Sequence, residues 1–230
     1  MFARTSPVSA SRFATFTVIC TVLLLGATPV PAALLNAGFE SPNASGGDVY
    51  GSSNWFAFND AYTTASVPAH SGTQSLKIFG PFSQGGGAGV VQPGFAAIEG
   101  DLWEARAYLR NDSTDPMQGS NFAVVKLEFL NASNAVIGFA ESPQFNAATS
   151  TPNLWTLQSA QGTAPAGTTS AQIVLVHVQL NNPVTGGSVF FDDASFGIVP
   201  EPSGVALLGL AGIGLLRGRG SRRASSAGAR

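Results

Sequence analysis

Seven polar residues recur at two-residue spacing within three otherwise apolar stretches: Glu104, Arg106 and Tyr108; Lys126 and Glu128; His177 and Gln179. A period of two puts alternate side chains on one face of a strand. Carboxylate, guanidinium, imidazole and amide groups gathered on such a face could all project into one groove. With aromatic rings beside them they make a polysaccharide site, in which rings stack on a sugar's apolar face and planar polar groups fix its hydroxyls. Trp55 and Tyr62, on neighbouring loops, supply the rings. The ligand contacts expected from this pattern are Trp55, Arg106, Tyr108, Glu128 and His177. The competing reading for each is structural, with Tyr108 packing at a rim and His177 hydrogen-bonded inside the fold.

Covalent chemistry has less to work with. His70 and His177 are the two histidines of the chain, and its one cysteine, Cys20, lies in an N-terminal apolar run. There is no HExxH helix, no GxSxG elbow and no glycine loop leading into a helix, since Gly85-Gly86-Gly87 sits between strands. The acidic residues leave room for a glycosidase-type carboxylate pair, but none stands out by context. The expectation is a protein that is not an enzyme.

The elements that must position these residues are strands. Trp103, Ala105, Ala107 and Leu109 oppose Glu104, Arg106, Tyr108 and Arg110; Ala123, Val125, Leu127 and Phe129 oppose the face of Lys126 and Glu128. From Ala171 to Leu180, Val174, Val176 and Val178 oppose Ile173, Leu175, His177 and Gln179. Further strands are expected at Ser75 to Phe79, Ala88 to Gln92, Ala135 to Ala140, Leu154 to Gln158 and Gly187 to Phe196, with a first one at Leu34 to Phe39. Turn-forming clusters such as Asn111-Asp112, Asp115-Pro116 and Gly186-Gly187 separate them. About ten strands in one domain predict an all-β fold: a two-sheet antiparallel β-sandwich, of jelly-roll type, because one open sheet that wide leaves a face unburied.

The two ends read differently. Residues 1–33 have the form of a signal peptide, with Arg4 and Arg12, an apolar run from Phe13 to Ala27, and small residues at Val30-Pro31-Ala32 and Pro31-Ala32-Ala33 for signal peptidase. Export would discard Cys20, leaving no disulfide and no thiol site. The whole chain carries a formal charge of −2. From Leu34 to Val199, however, Lys77, Arg106, Arg110 and Lys126 face twelve Asp and Glu, which gives 4 − 12 = −8. An acidic domain argues against nucleic acid or an anionic membrane surface as partner.

The far end carries Pro200-Glu201-Pro202, an apolar run from Gly204 to Leu216 expected to be helical, and Arg217, Arg219, Arg222 and Arg223. Two prolines keep Glu201 extended and accessible. The apolar run is 13 residues long, short of the roughly 20 that cross a bilayer, although its glycines and flanking arginines suit a membrane. Residues 199–230 resemble the PEP-CTERM sorting signal of Gram-negative bacteria. That resemblance implies membrane association during transit and processing by exosortase near Pro200, Glu201 and Pro202, with Arg217, Arg219, Arg222 and Arg223 as the basic flank.

Residues 34–198 carry a second resemblance. Asn36-Ala37-Gly38-Phe39-Glu40, Trp55, His70-Ser71-Gly72-Thr73-Gln74-Ser75-Leu76, Trp155 and Val189-Phe190-Phe191-Asp192-Asp193-Ala194 look like landmarks of jelly-roll carbohydrate-binding modules with a galactose-binding-like fold. The resemblance implies a structural Ca2+ that ties the two ends of the domain together, held by Glu40 and Asp192, with Asp193 the alternative to Asp192. Carbonyls near Gly38 and in the Ser71-Gly72-Thr73 turn would complete a shell of six to eight oxygens. The sequence as a whole thus points to an exported, non-catalytic cell-surface or extracellular-matrix protein that binds polysaccharide. The alternatives are a purely structural matrix protein and a small glycan hydrolase.

Overall fold

The computed structural model describes residues 34–80, 82–180 and 186–200. The described chain is a two-sheet antiparallel β-sandwich with no helix. Its strands are β1 (Val49–Tyr50), β2 (Phe56–Phe58), β3 (Ala61–Thr64), β4 (Ser75–Ile78), β5 (Gly86–Ala96), β6 (Leu102–Arg110), β7 (Phe122–Leu130), β8 (Val136–Glu141), β9 (Phe145–Asn146), β10 (Thr156–Thr163), β11 (Ser170–Gln179) and β12 (Val189–Ile198). One sheet has the order β1-β3-β4-β12-β6-β10; the other runs β2-β5-β11-β7-β8, with β9 paired to β7.

The alternation seen in the sequence builds the core. Leu76 and Ile78, Trp103 to Leu109 at every second position, and Phe191 and Phe196 point inward from the first sheet. Ala88 and Val90, Ala123 to Phe129 at every second position, and Ala171, Ile173 and Leu175 answer from the second. Each large side chain buried this way contributes about 1.5–3 kcal/mol before the entropy of ordering is subtracted. Alanine at 88, 105, 107 and 123 thins the layer locally, and in the second sheet this makes room for a ring: His177 pairs with Ala88 on one side and Ala123 on the other.

Several boundaries differ from the sequence expectation; β5 extends to Gly86–Ala96 and β10 runs on to Thr163. Leu34 to Phe39 is a turn, closed by Phe39 N donating to Asn36 O (3.1 Å), with Asn36 and Phe39 at φ 52° and 56°. Its apolar residues resemble a strand because Phe39 is a plug for the core and is fully buried. β10 begins at Thr156, two residues later than expected, because Asn153 takes φ 63° and Trp155 turns out to cap a loop. The short strands β1, β2, β3 and β9 were not expected; turns at Gly51 (φ 73°) and Asn59 (φ 55°) cut that part of the chain into pieces too short to show a period. The signal peptide at 1–33 and the sorting signal from 201 onward lie outside the described residues. Among the described residues no helix is long and apolar enough to cross a membrane.

Candidate functional site

Asp192 and Asp193 turn their carboxylates toward Gly38, while Glu40 reaches it with its Cγ and sets its own carboxylate against Gly72 and Thr73. A Cβ on Gly38 would stand 3.4 Å from Asp193 Oδ1, 3.9 Å from Asp192 Oδ1 and 4.0 Å from Glu40 Cγ. A bulge in β12 between Asp192 and Ser195 makes this possible, with Asp193 held at φ 44° and Ala194 N bonded to Ala37 O (2.9 Å). Bulges of this kind re-aim side chains that a regular ladder would alternate. Asp192 is fully buried and accepts from the amides of His70 (2.8 Å), Ser71 (3.3 Å) and Asp193 (2.8 Å). Burial pushes its carboxyl up to about 6, partly opposed by those three amides.

Asp193 takes His70 Nδ1 (2.6 Å) and Ser71 Oγ (2.7 Å), and the His70 ring lies flat on Tyr108 at 3.6 Å between centroids. Glu40 accepts from Thr73 N (2.9 Å), Thr73 Oγ1 (2.7 Å) and Gln74 N (3.1 Å). Among the described residues no group of three or more His, Cys, Asp or Glu is arranged as a metal site. A calcium ion here would therefore draw on two carboxylates and several carbonyls, which its chemistry permits.

The residues expected to bind ligand do not share a face. Trp55 is buried, its ring 5.3 Å from Phe39 and its Nε1 donating to Asn36 O (3.2 Å), so it braces the first turn. Arg106 lies exposed on the outer face of the first sheet, paired with Glu104. Tyr108 is on that face too, beneath His70. Glu128 projects from the opposite sheet. His177 is fully buried in the core, and neither ring nitrogen makes a hydrogen bond of normal geometry. Burial lowers its pKa to about 4, with the backbone of Ile78 and Phe79 giving partial relief. The expected single polar face therefore divides among two outer faces and the interior.

Around Glu128 the structure assembles a different surface. Across the second sheet the register aligns Phe56, Val91, Val174, Lys126 and Glu141 in one row. A parallel row holds Phe58, Gly89, Val176 and Val124, and a third holds Gln172, Glu128 and Phe139. Glycine and valine make a low floor, while Phe56 (67% exposed) stands on one side and Phe139 (61%) on the other. A Cβ on Gly89 would come 2.9 Å from Phe58 Cζ, so that ring leans over the floor. Four strand spacings of about 4.8 Å separate the aromatic banks, or ~19 Å.

A polar ladder runs along the β7 side of this groove. Lys126 Nζ lies 2.9 Å from Glu128 Oε1, 3.7 Å from Glu141 and 4.6 Å from the Phe139 ring centre, and Gln172 Nε2 donates to Glu128 Oε2 (2.6 Å). At the Phe56 end the groove opens toward a cleft of about 500 Å3 lined by Leu35, Trp55, Phe56, Gln92 and Phe95. Phe56 and Phe139 escaped the sequence reading because they sit on edge strands; each had only its β propensity and aromatic ring as a signal.

The sequence matches no protein-family model and no curated protein. Solved structures do resemble it. An apo-form cyclase from Fischerella sp. superposes with a TM-score of 0.55 at 17% identity, covering 76% of this chain and 98% of that one. The CBM22-1 xylan-binding domain of Paenibacillus barcinonensis Xyn10C gives 0.44 at 13% identity, with 64% and 87% covered. The enzymatically active domain of bacteriophage CBA120 tailspike protein 4 gives 0.48 at 15% identity, covering 72% of this chain but only 21% of the tailspike chain. At these identities the likeness is one of fold.

Proposed function

We propose that this chain is an exported, non-catalytic surface protein whose sandwich holds a polysaccharide along the outer face of its second sheet. The observation that carries the reading is the groove itself: a glycine and valine floor between exposed Phe56 and Phe139, with Lys126, Glu128 and Gln172 set between them. Exposed rings offer stacking surfaces, and the fixed ammonium, carboxylate and amide offer a donor, an acceptor and one group of both kinds to sugar hydroxyls. A Ca2+ held by Glu40 and Asp192, or by Asp193, belongs to the same proposal. It is supported by a fully buried carboxylate, Asp192, that forms no ion pair with Lys or Arg among the described residues, and by the close approach of the Gly38 backbone. Export through residues 1–33 and exosortase sorting through Pro200-Glu201-Pro202 and the arginines rest on the order of those residues in the sequence.

Titration of the purified chain against a panel of neutral and charged extracellular polysaccharides, with Phe56→Ala, Phe139→Ala and Glu128→Gln, tests the reading. A bound polysaccharide whose affinity falls at least tenfold in both Phe variants, with unchanged melting, supports it. Absence of any binder overturns it in favour of a purely structural protein. Release of shortened glycan in the same tubes overturns its non-catalytic part.

A further inference from the structure

At a corner of the sandwich away from the polar ladder, Asp48, Asp60, Tyr62, Phe79 and Phe82 line a cavity of about 360 Å3. Three of the five are aromatic. Tyr62 stands edge-on to Phe79 (5.6 Å between centroids) and to Tyr50 (5.5 Å), so the rings form a continuous wall. Phe82 is 57% exposed at the rim, and a buried glutamine fixes its position: Gln179 Oε1 accepts from Phe82 N (2.7 Å) and Gln179 O from Gly85 N (2.6 Å). Asp48 Oδ1 accepts from Thr64 Oγ1 (2.5 Å) and Asp60 Oδ1 from Tyr62 OH (3.3 Å). The second oxygen of each carboxylate has no protein donor among the described residues.

Among the described residues no basic side chain lines this cavity. Lys77 stands over one of the lining rings, its Nζ 4.1 Å from the Phe79 ring centre and 3.2 Å from Asp115 Oδ2, which leaves the Tyr62 and Phe82 rings to a ligand. Desolvation, then Asp60, Tyr50 and Asp48, hold the Tyr62 hydroxyl above its usual range, in keeping with a negative field. Aromatic walls with negative faces and two carboxylates with spare lone pairs, in a domain of charge −8, select for positive charge spread over a small apolar frame.

We propose that this cavity binds an organic ammonium group. The ammonium sits against the rings and shares its protons between Asp48 and Asp60. Two sources carry that chemistry, a de-N-acetylated amino-sugar unit of a polysaccharide and a free alkylamine. The site is independent of the groove on the second sheet, since none of its lining residues belongs to that face.

The test is calorimetric titration of the full chain at pH 6 with three probes: a glucosamine oligomer, the matching N-acetylglucosamine oligomer and butylamine. The N-acetylated oligomer has the same sugar frame without the charge. Binding of the glucosamine oligomer at least tenfold tighter than its acetylated partner is the expected result, and butylamine binding alone assigns the free amine as the source. Asp60→Asn and Phe82→Ala weaken the binding tenfold or more with unchanged melting temperature, whereas Phe139→Ala in the groove leaves it unaltered. Equal affinity for the acetylated oligomer, binding indifferent to Asp48→Asn and Asp60→Asn together, or no binding of any probe overturns the proposal.

Discussion

His177 offers a sharp test of how the core is built. Its imidazole is fully buried, neither nitrogen makes a hydrogen bond of normal geometry, and burial lowers its pKa from 6.5 to about 4. The folded protein therefore keeps the ring neutral down to about pH 4, while the unfolded chain takes up a proton below 6.5. Since the unfolded state binds more protons in that window, stability falls as pH drops through it. Integrated from pH 7.5 to pH 4.5, the loss is about 2.5 kcal/mol, approaching ~3.4 kcal/mol below pH 4. Asp192 acts in the opposite sense: its raised pKa lets the folded state hold a proton between roughly pH 4 and 6, which favours folding on acidification. Wild type alone therefore shows a shallow curve, and a difference measurement is needed.

The perturbation is His177→Leu. Ala88 and Ala123 flank the site, so leucine fits without crowding, and two unpaired nitrogens leave the core. At pH 7.5 the variant should match or exceed wild type by up to about 1 kcal/mol. Urea unfolding at pH 7.5, 6.0 and 4.5 on both proteins gives the gap between them, in which the Asp192 contribution cancels. The gap should widen in the variant's favour by about 2.5 kcal/mol on going to pH 4.5. A gap that stays constant with pH would mean that His177 titrates in the fold as it does in the unfolded chain, and the reasoning would fail.

Three further outcomes follow from the same geometry. Calcium at Glu40 and Asp192 should stabilise by about 2.7 kcal/mol at hundredfold excess over Kd, so chelator should lower Tm by about 5–10 °C in wild type and not in Asp192→Asn; an unchanged wild-type Tm removes the calcium. Gly72→Ala, at φ +66° with its new Cβ driven onto the Glu40 carboxylate, should cost about 2 kcal/mol or more by denaturant unfolding, while Gly94→Ala, at φ +97° with open space around it, should cost only backbone strain of about 1 kcal/mol. Equal losses would show that the Glu40 clasp relaxes freely. Glu201→Ala or Pro202→Ala should leave Tm unchanged yet retain Arg230 in intact-mass spectra of protein recovered from cells, where wild type ends near Pro200 to Pro202; identical masses would refute the sorting-signal reading.

The long central strands were legible in the sequence, and the reason is physical. β6, β7 and β11 each run nine or ten residues with small or branched side chains at every second position, enough to display a period of two. The same period could not say which sheet a strand joins. Arg106 and Glu128 looked like neighbours, but β6 pairs with β10 and β12 while β7 pairs with β8 and β11, so the two residues face opposite ways. Nor could it tell inside from outside on β11, where both faces are apolar: valines fill one and Ile173 and Leu175 share the other with His177. The approach of Asp192 and Asp193 to Gly38 depended on a bulge and a left-handed Asp193, features with no signature in alternation. The groove was missed because its defining residues are Gly89 and the edge phenylalanines, the one recognisable only by what it lacks and the others by exposure that a sequence does not show.

The place of β12 has a mechanical meaning. Its last residues stay in register with β6 as far as Ile198 opposite Trp103, and Val199 N still donates to Leu102 O (2.8 Å). Any pull on the chain beyond Pro200 thus enters through an interior strand, paired with β6 as far as Ile198 and with β4 over Val189 to Phe191, with hydrogen bonds lying across the line of force. Those bonds must shear together, because none can open ahead of the rest as at a fraying edge. A sheet strung this way resists tension better than one whose terminal strand lies outermost.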